Sequence, residues 1–222
     1  MSDIFREVDE DIRRDKLVSF WQRYGGAVVA SAVLIVVGTA GYVGWKHWRT
    51  GQMEERTAVL STALSKIRPE QNAAPVDTKA GADALAQAAQ QLGGGHATIA
   101  RLYEAGLRAR DGQRDQAIAL YDSLAGDSEA TPLLRDLALL MSIQLQVDTG
   151  DIAALQGRLA PLLATGNAWR ASAAELAGLL AIRSGDNARA AELFRGLAED
   201  ADAPQGVRAR ATELAAFYAA PK

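Results

Sequence analysis

The chain contains no cysteine, and its 222 residues include only two histidines, His47 and His96. Disulfides, thiolate metal sites and a cysteine nucleophile are therefore excluded. Neither histidine has a second ligand four residues away, and neither belongs to a spaced cluster of histidines and acids. No metal site is predicted.

Sequence signatures of catalysis and of cofactor binding are missing as well. The three glycines at 93–95 are not followed by Lys-Ser or Lys-Thr, which favours a turn between helices over a phosphate-binding loop. No Gly-x-Ser-x-Gly motif occurs, and paired acids such as Glu199-Asp200 lie in polar stretches where nothing would desolvate them, as acid-base catalysis requires. We therefore predict a protein that is not an enzyme and has no catalytic residues and no cofactor. Binding becomes the default function.

The charge balance gives no reason to expect a nucleic-acid partner. The chain has 24 lysines and arginines against 27 acids, a formal net charge of −3 at pH 7, so no basic surplus attracts phosphate. After residue 46 the sequence is rich in alanine and poor in β-branched residues, which favours helix. The composition predicts an all-α fold.

One long apolar run, residues 24–45, contains no charged side chain. As a helix it would be about 33 Å long, close to the roughly 30 Å of a bilayer's hydrocarbon core. The run is too long for the apolar core of a cleaved signal peptide, about 7–15 residues, so we predict a single transmembrane helix. Aromatic residues typical of bilayer interfaces flank it on both sides: Phe20, Trp21, Tyr24, Tyr42, Trp45 and Trp48.

Within this run Gly38, Gly41 and Gly44 recur at every third position. Small residues let a second helix approach closely, so these glycines are a candidate contact with another membrane helix, although such spacing also arises without a partner. Residues 1–23 are predicted to form a short amphipathic segment, and their basic residues favour a cytoplasmic N-terminus. Residues 46–95 are interpreted as amphipathic helices with a linker at 69–79.

Residues 96–222 contain a repeated turn signal. Asp111-Gly112, Thr149-Gly150-Asp151 and Ser184-Gly185-Asp186 each separate two helical patterns, and their glycines are 38 and then 35 residues apart. Periods of this size indicate stacked helical hairpins. We predict hairpins at about 96–127, 131–165 and 167–200, followed by a capping helix at 206–219.

The second helix of each hairpin keeps a common register. A small or apolar residue, then a large one, then leucine stand five, nine and twelve positions after each turn glycine, on one helical face. This resembles the tetratricopeptide repeat. The third copy, which also places Gly178 where the first helix needs a small contact, matches best. The positions are Ala117, Tyr121 and Leu124; Leu155, Leu159 and Leu162; Ala190, Phe194 and Leu197.

Two further expectations follow from the repeat. Pro161 falls inside a second helix and should kink or shorten it, because proline has no amide hydrogen to donate. Stacked hairpins form a concave face that can bind an extended segment or a helix. Carried over from the repeat, Arg110, Asp148 and Arg183, just before each turn, should lie near that protein-binding groove. The alternative is that all three are solvated helix ends.

The order of these features resembles the YfgM-like family, the ancillary subunits of the bacterial Sec translocon. The resemblance rests on Phe20-Trp21-Gln22-Arg23-Tyr24-Gly25 before the span, on Gly44-Trp45-Lys46-His47-Trp48-Arg49 after it, and on the repeats that follow. It implies a single-pass protein of the bacterial inner membrane with a periplasmic repeat domain. Its implied partners are the SecYEG channel and a PpiD-like periplasmic chaperone. A structural scaffold in another envelope assembly, such as cell division or cytochrome maturation, is the alternative.

Overall fold

A computed structural model describes the backbone of residues 3–67 and 77–219; in the first helix it leaves out the side chains of residues 3–20, 22, 25, 27–29 and 32. The chain divides into two compact units, Met1–Glu55 and Arg56–Lys222. Every regular element in the described residues is helical. The prediction of an all-α fold is therefore confirmed.

The first unit consists of one helix, α1, which extends from Asp3 to Ser65 and so continues into the second unit. Its apolar residues 33–37 are 54–72% exposed. In the described part of the chain, no helix combines the length and the apolar character needed to cross a bilayer. The segment predicted to do so, 24–45, includes side chains that lie outside the described residues, as does nearly all of the predicted amphipathic segment 1–23. Both remain predictions.

The second unit contains eight further α-helices in its described residues. Aspartates cap three of them, because the side chains of Asp77, Asp151 and Asp186 accept hydrogen bonds from first-turn amides. The linker predicted at 69–79 lies largely outside the described residues. The helices are α2 (Thr78–Gln91), α3 (Gly94–Arg110), α4 (Arg114–Ala125), α5 (Pro132–Gln146), α6 (Ile152–Leu159), α7 (Arg170–Arg183), α8 (Asn187–Glu199) and α9 (Gln205–Ala219).

The helices from α3 onward stack as hairpins. Helix α3 packs on α4, α5 on α6 and α7 on α8, while the first helices also contact one another in the order α3, α5, α7 and α9. Two turn glycines, Gly112 and Gly185, have φ values of 81° and 80°, a conformation that favours glycine. Gly150 does not share it, so the middle turn has a different geometry.

The residues at the small, large and large positions of the second helices form the core of the stack. All nine are buried, from Ala117 in the first hairpin to Leu197 in the third, which confirms the predicted face. The contact at Gly178 is close, since a Cβ atom added there would lie 2.5 Å from Cζ of Phe194. The absence of a side chain at Gly178 is what lets the ring of Phe194 reach the backbone of α7.

Pro161 shortens the second helix of the middle hairpin, as predicted. Helix α6 ends at Leu159 and a single 3₁₀ turn, Ala160–Leu163, replaces its last part. The turn still buries Leu162 completely. The register is therefore kept although the helix is only eight residues long.

Substituting Gly178 by alanine tests the close contact with Phe194. We expect Gly178→Ala to lower the free energy of unfolding by about 1–3 kcal/mol, because the new methyl group would overlap the buried ring. The matched control is Gly196→Ala in α8, where an added Cβ meets nothing within 4 Å and where alanine should stabilise by about 0.4–1 kcal/mol. Urea unfolding followed by circular dichroism measures both, and equal effects of the two changes would contradict the contact.

Candidate functional site

The first helices of the three hairpins present equivalent positions on one face. These positions stand 13, 10, 9, 6 and 2 residues before each turn glycine, a spacing that places them on one side of a helix. We call the surface that they form the first-helix groove. Its residues are Ile99, Leu102, Tyr103, Gly106 and Arg110 in α3; Leu137, Leu140, Met141, Gln144 and Asp148 in and just after α5; and Ser172, Glu175, Leu176, Leu179 and Arg183 in α7.

The groove contains two clefts that meet at Met141. The first, between α3 and α5, has a volume of about 400 Å³ and is lined by apolar and aromatic side chains. The second, between α5, α7 and α9, has a volume of about 540 Å³ and is lined by a mixture of polar and apolar side chains. Of the fifteen equivalent positions, all except Gly106, Arg110 and Arg183 line one of the two clefts.

The apolar cleft presents an exposed aromatic residue above a buried one. Tyr103 projects from α3 with half of its surface exposed, whereas Tyr121 of α4 is buried. Burial raises the pKa of the Tyr121 hydroxyl above its ordinary value. Gly106 lies beside it, since a Cβ there would be 3.4 Å from the Tyr121 hydroxyl oxygen. An apolar side chain of a partner would find aromatic and aliphatic contacts here.

The polar cleft contains one ion pair and one unpaired acid. Arg210 of α9 donates two hydrogen bonds to the Glu175 carboxylate of α7, at 2.8 and 2.9 Å. This carboxylate raises the pKa of the Arg210 guanidinium through the hydrogen bonds and the opposite charge. Asp148 is exposed on the α5 side of the same cleft and has no hydrogen bond or ion pair within the described residues. A cationic or hydrogen-bond-donating group of a partner could bind Asp148.

The structure places the three predicted groove residues in different surroundings. Asp148 lines the polar cleft. Arg110 is exposed at the end of α3 and contacts no acid in the described residues. Arg183 instead donates a hydrogen bond to the Val147 carbonyl at 2.7 Å and another to the Gly150 carbonyl. Its guanidinium therefore joins the end of α7 to the turn after α5.

Sequence reasoning missed the residues that give the clefts their chemistry. Tyr103, Leu137, Glu175 and Leu176 were not predicted as groove residues, although counting back from each turn glycine would have found them. Arg210 had no such signal, because it comes from α9, which precedes no turn glycine. Across the described ranges, no group of three or more histidine or acidic side chains is placed to hold a metal ion.

Stacked helical hairpins whose first helices line a groove are typical of the class of helical-repeat proteins. The family model of the tetratricopeptide repeat-like domain matches residues 18–214. Because the match covers well over half of the chain, this protein belongs to that family. Domains of this kind are typically non-enzymatic scaffolds that mediate protein interactions. No curated protein and no solved structure matches the chain.

Charge reversal at Arg183 and at Arg110 should separate a structural arginine from a free one. We expect Arg183→Glu to lower the free energy of unfolding by about 1–2 kcal/mol, because two carbonyls lose a charged donor and a carboxylate would face the carbonyl end of α5. Arg110→Glu should change it by less than about 0.5 kcal/mol. Thermal unfolding of both variants measures the difference, and equal stabilities would contradict the role given to Arg183.

Proposed function

We propose that this chain is a non-enzymatic scaffold that binds protein partners through the first-helix groove. The observation that carries the proposal is the lining of both clefts by equivalent positions of successive repeats. A surface repeated in this way offers similar contacts at regular intervals along a bound segment. It suits an extended peptide or an amphipathic helix better than a compact small molecule.

The composition of the groove also favours a protein partner. An exposed aromatic residue such as Tyr103 beside aliphatic side chains is typical of positions that dominate binding energy in protein interfaces. The acids Asp148 and Glu175, with Arg210, leave the polar cleft without a basic surplus, so nucleic acid is not favoured. A segment with apolar side chains at one end and a basic or amide group at the other would match both clefts.

We further propose that residues 24–45 anchor the scaffold in a membrane. Support comes from the uncharged run itself, from its continuity within α1, and from the exposure of its described apolar residues. A helix that exposes apolar side chains all around is typical of an apolar environment. At the predicted exit from the bilayer, the Arg49 guanidinium lies 5.3 Å from the centre of the Trp45 ring, an arrangement suited to the headgroup region.

The proposed location is the bacterial inner membrane, with the N-terminus in the cytoplasm and the repeat domain in the periplasm. There the chain would act as an ancillary subunit of the Sec translocon and bind SecYEG and a PpiD-like chaperone. The support is the resemblance of the segments that flank 24–45, 20–25 and 44–49, combined with the repeat domain. A scaffold in cell division or cytochrome maturation would use the same groove for different partners.

The membrane anchor is tested by extraction. We expect the full chain to remain in the membrane pellet after alkaline carbonate treatment, because an inserted helix is not released by high pH. Replacing Leu34 and Val36 by arginine should release it, since each charge near the bilayer centre costs about 2.5–3.5 kcal/mol on insertion scales. The matched control places the same two arginines at Met53 and Thr57, outside the apolar run. Release of the unaltered chain would overturn the anchor.

The groove is tested by crosslinking inside cells with a photoreactive residue in place of Asp148. We expect capture of a Sec channel subunit or a periplasmic chaperone, and we expect Tyr103→Ala to reduce that capture about tenfold. A photoreactive residue at the exposed Glu192 of α8 is the matched control and should not capture these partners. Capture of division or cytochrome maturation proteins would favour the alternative scaffold. Capture of cytoplasmic proteins alone would overturn the proposed topology.

A further inference from the structure

The last helix of the described residues, α9, has the build of a first helix: it packs on α8 and α7, but no second helix of its own follows it there. Adding 35 to the residue numbers of α7 gives the equivalent positions of α9. Leu176 and Leu180, which are buried in the stack, correspond to Ala211 and Ala215, which are buried as well. Helix α9 also packs on α7 in the order of first helices. The two helices therefore share one register.

In α7 one face of this register packs on the neighbouring second helix and on α9. Ala171, Ala174, Ala181 and Ile182 belong to or pack against the cluster that contains Phe194, and Gly178 contacts the Phe194 ring. This set of small residues with one large residue at its end is the docking face of a first helix. The small members let a second helix pack closely on α7.

The corresponding residues of α9 are all exposed. We call them the α9 face: Gly206, Ala209, Glu213, Ala216 and Phe217. Phe217 is 68% exposed, and its ring meets that of Tyr218 edge to face at 4.9 Å between centroids. Glu213 stands where α7 has Gly178, so a large apolar residue such as Phe194 could not dock at the middle of this face. A partner with a positive charge at that point would complement the acid.

We propose that the α9 face binds the α9 face of a second copy of this chain, with the two helices antiparallel. The face is small at its start, at Gly206 and Ala209, and large at its end, at Phe217. A two-fold axis between residues 211 and 212 sets Phe217 of each copy over Gly206 of the other. A Cβ built on Gly206 meets only Nη1 of Arg210, at 3.8 Å, so there is room for the ring. A two-fold interface makes each contact twice.

The charges of the face agree with the same pairing. The two-fold axis sets Glu213 of one copy opposite Arg210 of the other. Arg210 binds Glu175 through Nε and Nη2, which leaves Nη1, the atom beside Gly206, able to donate to a second carboxylate. Glu213 has no ion pair within the described residues. The pairing therefore places a positive charge opposite the acid at the middle of the face.

One helix from each copy forms a small interface, below the roughly 1,600 Å² of a standard stable complex. The dimer should therefore be weak in dilute solution, and a trapping experiment suits it better than gel filtration. The chain contains no cysteine, so engineered cysteines are unique. Two differently tagged full-length copies carry Gly206→Cys and Ala216→Cys. Since Gly206 lies opposite Phe217 in the proposed pairing, the neighbouring position 216 brings its thiol close to the thiol at position 206.

We expect a disulfide that joins the two differently tagged copies when they are mixed and mildly oxidised. Few disulfide-linked dimers should form when either copy is oxidised alone. Adding Phe217→Ala or Glu213→Arg to both copies should lower the yield about tenfold, because the first removes the ring and the second sets two arginines face to face. Leu133→Ala, which removes an exposed apolar side chain from α5, is the matched control and should leave the yield unchanged.

The result that would overturn the proposal is equally specific. A mixed yield no higher than that of a pair in which Glu192→Cys replaces Ala216→Cys would show collision rather than pairing. A yield that Phe217→Ala and Glu213→Arg leave unchanged would show that the face does not pair as described. Because Gly206, Glu213, Ala216 and Phe217 are all exposed, circular dichroism should show an unaltered fold in the variants at these positions.

Discussion

The repeat domain depends on burying one face of each second helix against the first helix beside it. That face has small, large and large residues in turn, and a single hairpin could not cover it without its neighbours. The closest of these contacts joins Gly178 and Phe194, where the ring occupies space that a side chain at position 178 would fill. Stacking follows from this burial, and so does the alignment of the first helices along the other side of the stack.

The first-helix groove is what the stack leaves uncovered. Because the same register positions recur in α3, α5 and α7, the groove has regular contacts, but their chemistry changes from apolar to polar along its length. Polar contacts between hairpins use other side chains. Arg158 of α6 binds Asp122 of α4 and also donates to Ser142 of α5, so one guanidinium joins three helices without occupying the groove.

Helix α9 covers the end of the stack and, in our proposal, also binds a second copy of the chain. One side covers the apolar surface of the third hairpin through Ala211 and Ala215, and the edge at Arg210 completes the polar cleft. The remaining side keeps the small residues of a docking face with Glu213 at its centre. A capping helix can therefore cover the end of the stack and still keep the small residues of a docking face.

The sequence by itself determined the helices, their turns and the buried face of every hairpin, because capping, glycine turns and helical periodicity act within a few residues. It also determined that Pro161 shortens its helix and that Gly178 must be small.

Only the tertiary structure decided how the charged residues before the turns are used. Arg183 and Asp148 hold the same register position, yet one binds carbonyls of the preceding turn and the other faces the polar cleft. Likewise, Arg210 joined the cleft only because α9 packs on α7. These outcomes depend on which atoms of distant segments come within hydrogen-bonding distance, and local periodicity contains no information about that.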